Sequence, residues 1–170
     1  MDRSLTDADI RRATQGRCRT VQYSALHELG DLDQLFGSKD CVALLYQTQS
    51  ASYGHWTTLV RDPVKKIIYY CDSYGAPVDD PLDDVSQAVR EACHEQHAHL
   101  ARLILRSGYE CDYNDVPLQR LAPGVNTCGR WVVARCLMSD MSNDDWAALF
   151  SRAPDPDELV VELTDYLLPA

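Results

Sequence analysis

The stretch that most restricts the fold is "GHWTTLVRDPVKKIIYYCDSYG", residues 54–75. Two runs rich in β-branched and aromatic residues, 55–60 and 66–71, are separated by a turn that contains Asp62 and Pro63. Runs of this composition on either side of an Asp-Pro turn are typical of two antiparallel strands. The segment therefore predicts a β-hairpin in the middle of the chain.

A hairpin with these bounds brings together two residues that lie 17 positions apart (72 − 55). His55 begins the first run and Asp72 follows the second, so the two side chains become neighbours at one end of the hairpin. A carboxylate in that place accepts a hydrogen bond from the imidazole, which fixes its tautomer and stabilises its charged form. We expect Asp72 to accept this bond from the Nδ1–H group of His55.

A second informative stretch is "NTCGRWVVARC", residues 126–136, in which Cys128 stands at the start of a predicted helix. Backbone N–H groups and the helix dipole stabilise a thiolate at that position. Gly129 has no Cβ and lets a substrate backbone approach, and Asn126 offers an amide nearby. Cys128 is therefore the candidate nucleophile, and His55 is its candidate base.

The rest of the sequence predicts an α+β fold with strands in the middle and helices at both ends. Residues 41–47, "CVALLYQ", predict a buried central strand, and we expect one domain over residues 1–170. The other predicted elements are a first helix in 4–14, two helical turns broken at Gly30, a long helix within 80–104, a short edge strand in 113–121 and two helices after residue 142.

Composition excludes some classes of function. The net charge of −10 and the pI near 4.8 argue against a nucleic-acid-binding surface, which needs clustered Lys and Arg. The longest apolar run, "CVALLY", is too short to span a bilayer, and the N-terminus lacks an apolar core. We therefore expect no membrane partner and a cytoplasmic location.

Seven cysteines without a close pair, in a chain for which we expect no signal peptide, favour reduced thiols over disulfides. One alternative use is a structural zinc site, because Cys93 and His97 have i,i+4 spacing on the predicted long helix and Cys111 offers a further ligand. The spacing matches no established zinc pattern, so we expect no metal. Arg130 and Arg135, on the helix that follows Cys128, are expected to face solvent.

The motifs "GHW", "YYCDSYG", "LQRL" and "NTCG" occur in the order His, Asp, Gln, Cys. In this order, and over roughly residues 41–140, the chain resembles the cysteine peptidases related to adenovirus protease. That superfamily includes SUMO-specific and NEDD8-specific proteases and bacterial and viral deubiquitinases. The resemblance implies a central mixed β-sheet with a hairpin, packed by helices, with the nucleophile at the N-terminus of a central helix.

The resemblance also implies a role for each matching residue. Cys128 is the nucleophile, His55 is the general base and Asp72 orients it. Gln119 donates its side-chain amide to the oxyanion hole beside the backbone N–H of Cys128. Trp56 matches an aromatic residue that covers the channel for a glycine-rich substrate tail.

The position of the glutamine departs from the family pattern. Gln119 stands nine residues before Cys128 (128 − 119), whereas about six is usual in SUMO-protease-like members. The intervening "LAPGV" then has to form a longer loop. Asn126 is the alternative amide near the nucleophile.

The function implied by the resemblance is a cysteine peptidase that cleaves after a glycine-rich motif. Its substrate is ubiquitin or a ubiquitin-like protein, or else a viral polyprotein, and we expect a monomer without a cofactor. In the viral case the location is the host cytoplasm or the virion. The alternatives are an acetyltransferase on the same scaffold, a non-enzymatic module that binds ubiquitin-like proteins, and a zinc-stabilised binding module.

Overall fold

The computed structural model describes residues 3–168 and has a five-stranded mixed sheet at its centre. The strands lie side by side in chain order, with β1 parallel to β2, β2 antiparallel to β3, β3 antiparallel to β4, and β4 parallel to β5. The predicted α+β class is confirmed. The strands are β1 Cys18–Gln22, β2 Cys41–Ser50, β3 Tyr53–Asp62, β4 Ile67–Cys71 and β5 Glu110–Tyr113.

Helices cover both faces of this sheet. The first helix begins after Thr6, whose side chain forms a capping box with Asp9, and the last begins after Asp155, which caps its first turn. Both C-terminal helices predicted from the sequence are present. The helices are α1 Asp7–Ala13, α2 Leu32–Phe36, α3 Gln87–Ala92, α4 His99–Ser107, α5 Cys128–Leu137, α6 Asn143–Ser151 and α7 Pro156–Asp165, with 3-10 turns at Tyr23–Glu28 and Asp80–Asp84.

The alternation of side chains along β2 divides the core into two layers. On one face its residues pack with α2 and α4, and on the other they pack with α1 and α5. This strand lies between β1 and β3 with both faces buried, as its uninterrupted apolar sequence predicts. The residues of the first face are Val42, Leu44 and Tyr46, and those of the second are Cys41, Ala43 and Leu45.

Helix α5 lies in the interior and not on the surface. It packs against the sheet on one side and against α6 and α7 on the other. The expectation that Arg130 and Arg135 face solvent was wrong, since both are buried. Arg130 donates to Thr164 Oγ1 at 2.9 Å, and Arg135 donates to Asn143 Oδ1 and to two backbone carbonyls, so the charges are compensated by polar partners.

The long helix predicted within 80–104 is broken into three pieces. Cys93 ends α3, and His94 follows with a φ of 53°, a left-handed conformation that stops helical continuation. Cys93 and His97 therefore do not share a helix. The helical arrangement that made their i,i+4 spacing suitable for zinc was wrong.

Two further differences concern strands. The strand predicted over 113–121 was wrong beyond its first residue, because β5 ends at Tyr113 and the chain continues as a loop held by side-chain hydrogen bonds of Asn114. Strand β1 was not predicted, since its mixed sequence "CRTVQ" lacks a clear alternation of apolar residues. Among residues 3–168 no helix is long and apolar enough to cross a membrane.

One disulfide contradicts the expectation that all cysteines are reduced. Cys41 of β2 is bonded to Cys136 of α5, and their Cα atoms are 6.0 Å apart. Cys18 of β1 lies beside them, with its sulfur 3.8 Å from that of Cys41. Sequence spacing did not reveal the pair, because 95 residues separate the two cysteines.

We expect this disulfide to contribute about 2–5 kcal/mol to the free energy of unfolding, because it closes a long loop in the unfolded chain. The Cys41→Ser and Cys136→Ser variants, and the wild type in a thiol reductant, should therefore unfold at lower denaturant concentration. Cys111→Ser, which removes an exposed free thiol, should leave the midpoint unchanged. Seven titratable thiols in the denatured, unreduced protein, in place of the five that the structure leaves free, would contradict the assignment.

Candidate active site

The candidate nucleophile is the first residue of α5. Thr127 is the N-cap, and Cys128 is 8% exposed at the base of a cleft. The backbone N–H groups of Trp56 and Gly129 act to lower the pKa of its thiol. This position combines the helix terminus with two local donors, and all three favour a thiolate over a thiol.

The hairpin brings His55 and Asp72 together as the sequence predicts. The imidazole Nε2 lies 2.9 Å from Asp72 Oδ1, and the side chain of Asp72 is 1% exposed. The expected ring nitrogen was wrong, since the carboxylate contacts Nε2 and not Nδ1. The ring enters from β3 with Nε2 toward the end of β4, so Nδ1 is the ring nitrogen left to interact with Cys128.

Tyr74 gives this pair two further contacts. Its backbone N–H donates to Asp72 Oδ1 at 2.8 Å, and its ring stacks on the imidazole of His55 with the centroids 4.9 Å apart. Within residues 3–168 the second carboxylate oxygen, Oδ2, has no hydrogen-bond partner. Asp72 is therefore held mainly through the oxygen that also contacts the imidazole.

Burial alone would lower the pKa of the His55 imidazole. Hydrogen bonds to Asp72 and Cys128 and their negative charges outweigh burial and raise the pKa of His55 to about 10. Around neutral pH the imidazole therefore holds two protons and carries a positive charge.

Burial also opposes the charged form of the cysteine. The hydrogen bond and positive charge of His55, together with the two backbone N–H groups, overcome burial and lower the pKa of Cys128. The two groups thus form a thiolate–imidazolium pair, in which each charge depends on the other.

The pair opens into a cleft of about 640 Å³. Gln119 and Asn126 line the same cleft, so the structure brings five of the seven predicted site residues to one place. The remaining charged residues of its wall, Asp80 and Asp84, are acidic. The wall is formed by Ser4, Thr48, Gln49, Tyr53, Gly54, His55, Asp72, Tyr74, Ala76, Asp80, Pro81, Asp84, Pro117, Gln119, Leu121, Val125, Asn126 and Cys128.

Ser73 fixes the side chain of Gln119. The Ser73 hydroxyl donates to Gln119 Oε1 at 2.7 Å, and the backbone N–H of Gln119 donates to the Ser73 carbonyl. The amide Nε2 donates to the Val125 carbonyl at 3.3 Å, a long bond that a better acceptor can replace. The unusual spacing before Cys128 is taken up by an exposed turn at residues 121–124, so Gln119 still reaches the cleft.

Two predicted substrate-binding residues lie outside the wall of this cleft. A Cβ on Gly129 would come within 2.7 Å of Leu5 Cβ, so close packing of the N-terminal segment also requires glycine there. Trp56 is 7% exposed and donates from Nε1 to the Leu5 carbonyl at 3.0 Å. It lines a neighbouring cleft that shares Ser4, Tyr53 and Gly54 with the first. A role in substrate binding stays a prediction for both.

Sequence reasoning missed the residues that orient this group. Ser73 and Tyr74 directly follow Asp72, so their adjacency was a usable signal. Asp157 contacts Arg120 and Thr127, which adjoin Gln119 and Cys128 in the chain. It lies 30 positions beyond Thr127, so no local sequence pattern indicates the contact.

Known proteins share the sequence or the fold to different degrees. No family model matches the sequence. The uncharacterized protein V9 of the Sputnik virophage is 27% identical over 168 residues, covering 95% of this chain and 94% of that protein. Among solved structures, a protease of ASFV has a TM-score of 0.53 at 13% identity, covering 98% of this chain and 68% of its own.

The SUMO protease Ulp1 has a TM-score of 0.43 at 21% identity, covering 97% of this chain and 80% of that chain. The likeness to the ASFV protease is the stronger of the two. The chain has the fold of a viral protease. At this level of identity the likeness establishes the fold, and any chemistry has to be argued from the residues in the cleft.

We expect iodoacetamide to alkylate Cys128 at lower pH than an ordinary thiol, because its pKa is lowered. The rate should rise as pH increases through that lowered pKa and change again near pH 10, where His55 loses its proton. In His55→Ala the midpoint should move up toward the ordinary cysteine value of about 8.5. Intact mass resolves the adduct.

The Cys111→Ser background removes an exposed competing thiol and serves as the control for that measurement. An unchanged pH profile in His55→Ala would show that the imidazole does not support the thiolate.

Proposed function

We propose that this chain is a cysteine peptidase that processes a viral polypeptide by cleaving after a small, glycine-rich sequence. The observation that carries the proposal is one cleft lined by Cys128, His55, Asp72 and Gln119, in which His55 is hydrogen-bonded to Asp72. A nucleophile, a base, a group that orients the base and an oxyanion donor are the components of acyl transfer.

In the first half of the proposed reaction, the Cys128 thiolate attacks the carbonyl carbon of the scissile peptide bond. Negative charge develops on the carbonyl oxygen, which accepts hydrogen bonds from the backbone N–H of Cys128 and from Gln119 Nε2. His55 donates its Nδ1 proton to the departing amine, the C–N bond breaks, and a thioester remains on Cys128.

In the second half, water enters the place of the departed amine. His55 now lacks a proton at Nδ1. It accepts a proton from this water while the water oxygen attacks the thioester carbonyl carbon. The C–S bond breaks, the carboxylic acid product leaves, and the proton held by His55 restores the ion pair with the thiolate. Asp72 keeps Nε2 protonated throughout, so only Nδ1 exchanges protons.

The choice of a viral substrate rests on one sequence relative and one structural neighbour. The virophage protein matches nearly the whole chain, and one structural neighbour, with a TM-score of 0.53, is the ASFV protease. The preference for a small residue before the scissile bond comes from the resemblance to proteases of glycine-rich tails. An acidic cleft wall that includes Asp80 and Asp84 is compatible with a basic residue in the same substrate.

A second candidate substrate is a ubiquitin-like protein. Ulp1 has been crystallised with Smt3, the yeast ortholog of SUMO, and the motif order of this chain is similar to that of SUMO proteases. Release of such a modifier uses the same residues, so the two substrates differ in recognition and not in chemistry.

A proteome-derived peptide library tests the activity without assuming a substrate. We expect wild-type protein to produce new N-termini after glycine-rich sequences, and the Cys128→Ala variant to produce none above background. Mass spectrometry of the products gives the cleavage motif. Polypeptides that contain the recovered motif are then digested with both proteins to test cleavage in an intact substrate.

Ubiquitin and SUMO carrying a C-terminal electrophile separate the two candidate substrates. Adducts that require Cys128 would favour the deconjugating role, whereas library cleavage without adducts supports processing of viral polypeptides. No cleavage and no adduct with wild-type protein would contradict the peptidase proposal.

Ser73→Ala tests the orientation of the oxyanion donor. Without the hydroxyl, Gln119 Oε1 loses its 2.7 Å donor and the amide can rotate, so we expect kcat to fall by about tenfold while KM changes little. The measurement is steady-state kinetics on a library-derived peptide. In a Gln119→Ala background the same change should have no further effect, and additive losses would mean that Ser73 acts elsewhere.

A further inference from the structure

Asp157, in the first turn of α7, lies beneath the cleft. It is 0% exposed, and both of its carboxylate oxygens accept hydrogen bonds. Oδ1 accepts from Thr127 Oγ1 at 2.6 Å and from Trp131 Nε1 at 3.1 Å. Oδ2 accepts from the backbone N–H of Arg120 at 2.9 Å. A buried carboxylate is stable only when it is satisfied in this way.

The partners of Asp157 adjoin the two groups that the proposed reaction uses as oxyanion donors. Thr127 directly precedes Cys128, whose backbone N–H is one donor. Arg120 directly follows Gln119, whose side chain is the other. One carboxylate therefore connects the start of α5 to the strand-end loop that carries Gln119.

The chain segment that joins Gln119 to Thr127 does not by itself fix the distance between them. Residues 120–124 are exposed, and Leu121 is 87% exposed. Two short-range backbone hydrogen bonds shape this turn, from Ala122 to Arg120 and from Val125 to Ala122. A connection through the buried interior constrains the distance more firmly than an exposed turn does.

The partners also require a carboxylate and not an amide. All four groups that meet Asp157 are donors: a hydroxyl, an indole N–H, the backbone N–H of Arg120 and the guanidinium of Arg120, whose Nε lies 3.6 Å from Oδ2. An amide presents one oxygen and one NH₂, so asparagine at this site turns a donor toward another donor. Replacing one carboxylate oxygen by NH₂ thus breaks the hydrogen bonds of that oxygen while it preserves the volume of the side chain.

We infer that Asp157 is a positioning residue that holds Gln119 and the N-terminus of α5 at the separation needed for a two-donor oxyanion hole. The inference rests on the proposed peptidase function. Asp157 acts through Thr127 and Arg120, and it does not touch the reacting atoms.

Asp157→Asn tests this role with three readouts in the full-length protein. We expect kcat on a library-derived peptide to fall at least tenfold, less than the roughly 10²–10³-fold cost of removing an oxyanion donor outright. Affinity for a peptide aldehyde, whose hemithioacetal oxygen occupies the oxyanion hole, should fall by a similar factor. KM and the rate of Cys128 alkylation should change by less than about twofold, because the ion pair with His55 does not use these donors.

Glu162→Gln is the matched control, since it makes the same chemical change at an exposed position of α7 and should leave all three readouts unchanged. If Asp157→Asn does not fold, Thr127→Val removes one of the hydrogen bonds and Thr127→Ser restores it. Loss of aldehyde affinity in the Thr127→Val variant and its recovery in the Thr127→Ser variant would support the positioning role of Asp157.

Two results would overturn the inference while leaving the peptidase proposal intact. One is an Asp157→Asn variant whose kcat and aldehyde affinity equal those of the wild-type protein. The other is a fall in kcat together with a rise in KM and slower alkylation of Cys128, which indicates a general structural effect. Absence of cleavage by the wild-type protein is a different outcome, because it contradicts the peptidase function itself.

Discussion

The structure depends on the burial of helix α5 between the sheet and the two C-terminal helices. Nine of its ten residues are buried, which is uncommon for a helix that contains two arginines. Arg130 and Arg135 are tolerated because α6, α7 and nearby carbonyls provide acceptors for them. The same packing sets the first turn of α5 against β3, and so determines where Cys128 meets His55.

The electrostatics of the cleft follow from that contact. Burial on its own favours the neutral thiol and the neutral imidazole, yet the pKa of Cys128 is lowered and that of His55 is raised to about 10. Each shift exists because the partner carries the opposite charge in a region of low dielectric constant. The reactivity of the site is thus a property of the geometry of β3 and α5, and neither residue has it alone.

Orientation within the cleft comes from residues outside it as well as from its own wall. Ser73 holds Gln119 and Tyr74 holds Asp72, both through the turn that follows β4. Asp157 approaches from below through α7. Because a fold of this kind can host different chemistries, these supporting contacts are more informative about function than the overall likeness to the ASFV protease.

The sequence by itself determined the hairpin, the buried strand β2, the capped helices and the approximate place of His55, Asp72 and Cys128. These features follow from local rules of alternation, turn residues and capping, which act over a few positions. Gln119 was identified by resemblance, and its loop was expected from the count of residues before Cys128.

Only the tertiary structure decided which imidazole nitrogen meets Asp72, that Arg130 and Arg135 are buried, and that Cys41 is bonded to Cys136. It also ended the predicted long helix at Cys93 and brought Asp157 beneath the cleft. Each of these depends on contacts between segments far apart in the chain, where burial and partner geometry outweigh local preference. A single sequence carries no direct signal of such contacts, because they are fixed only when the layers pack.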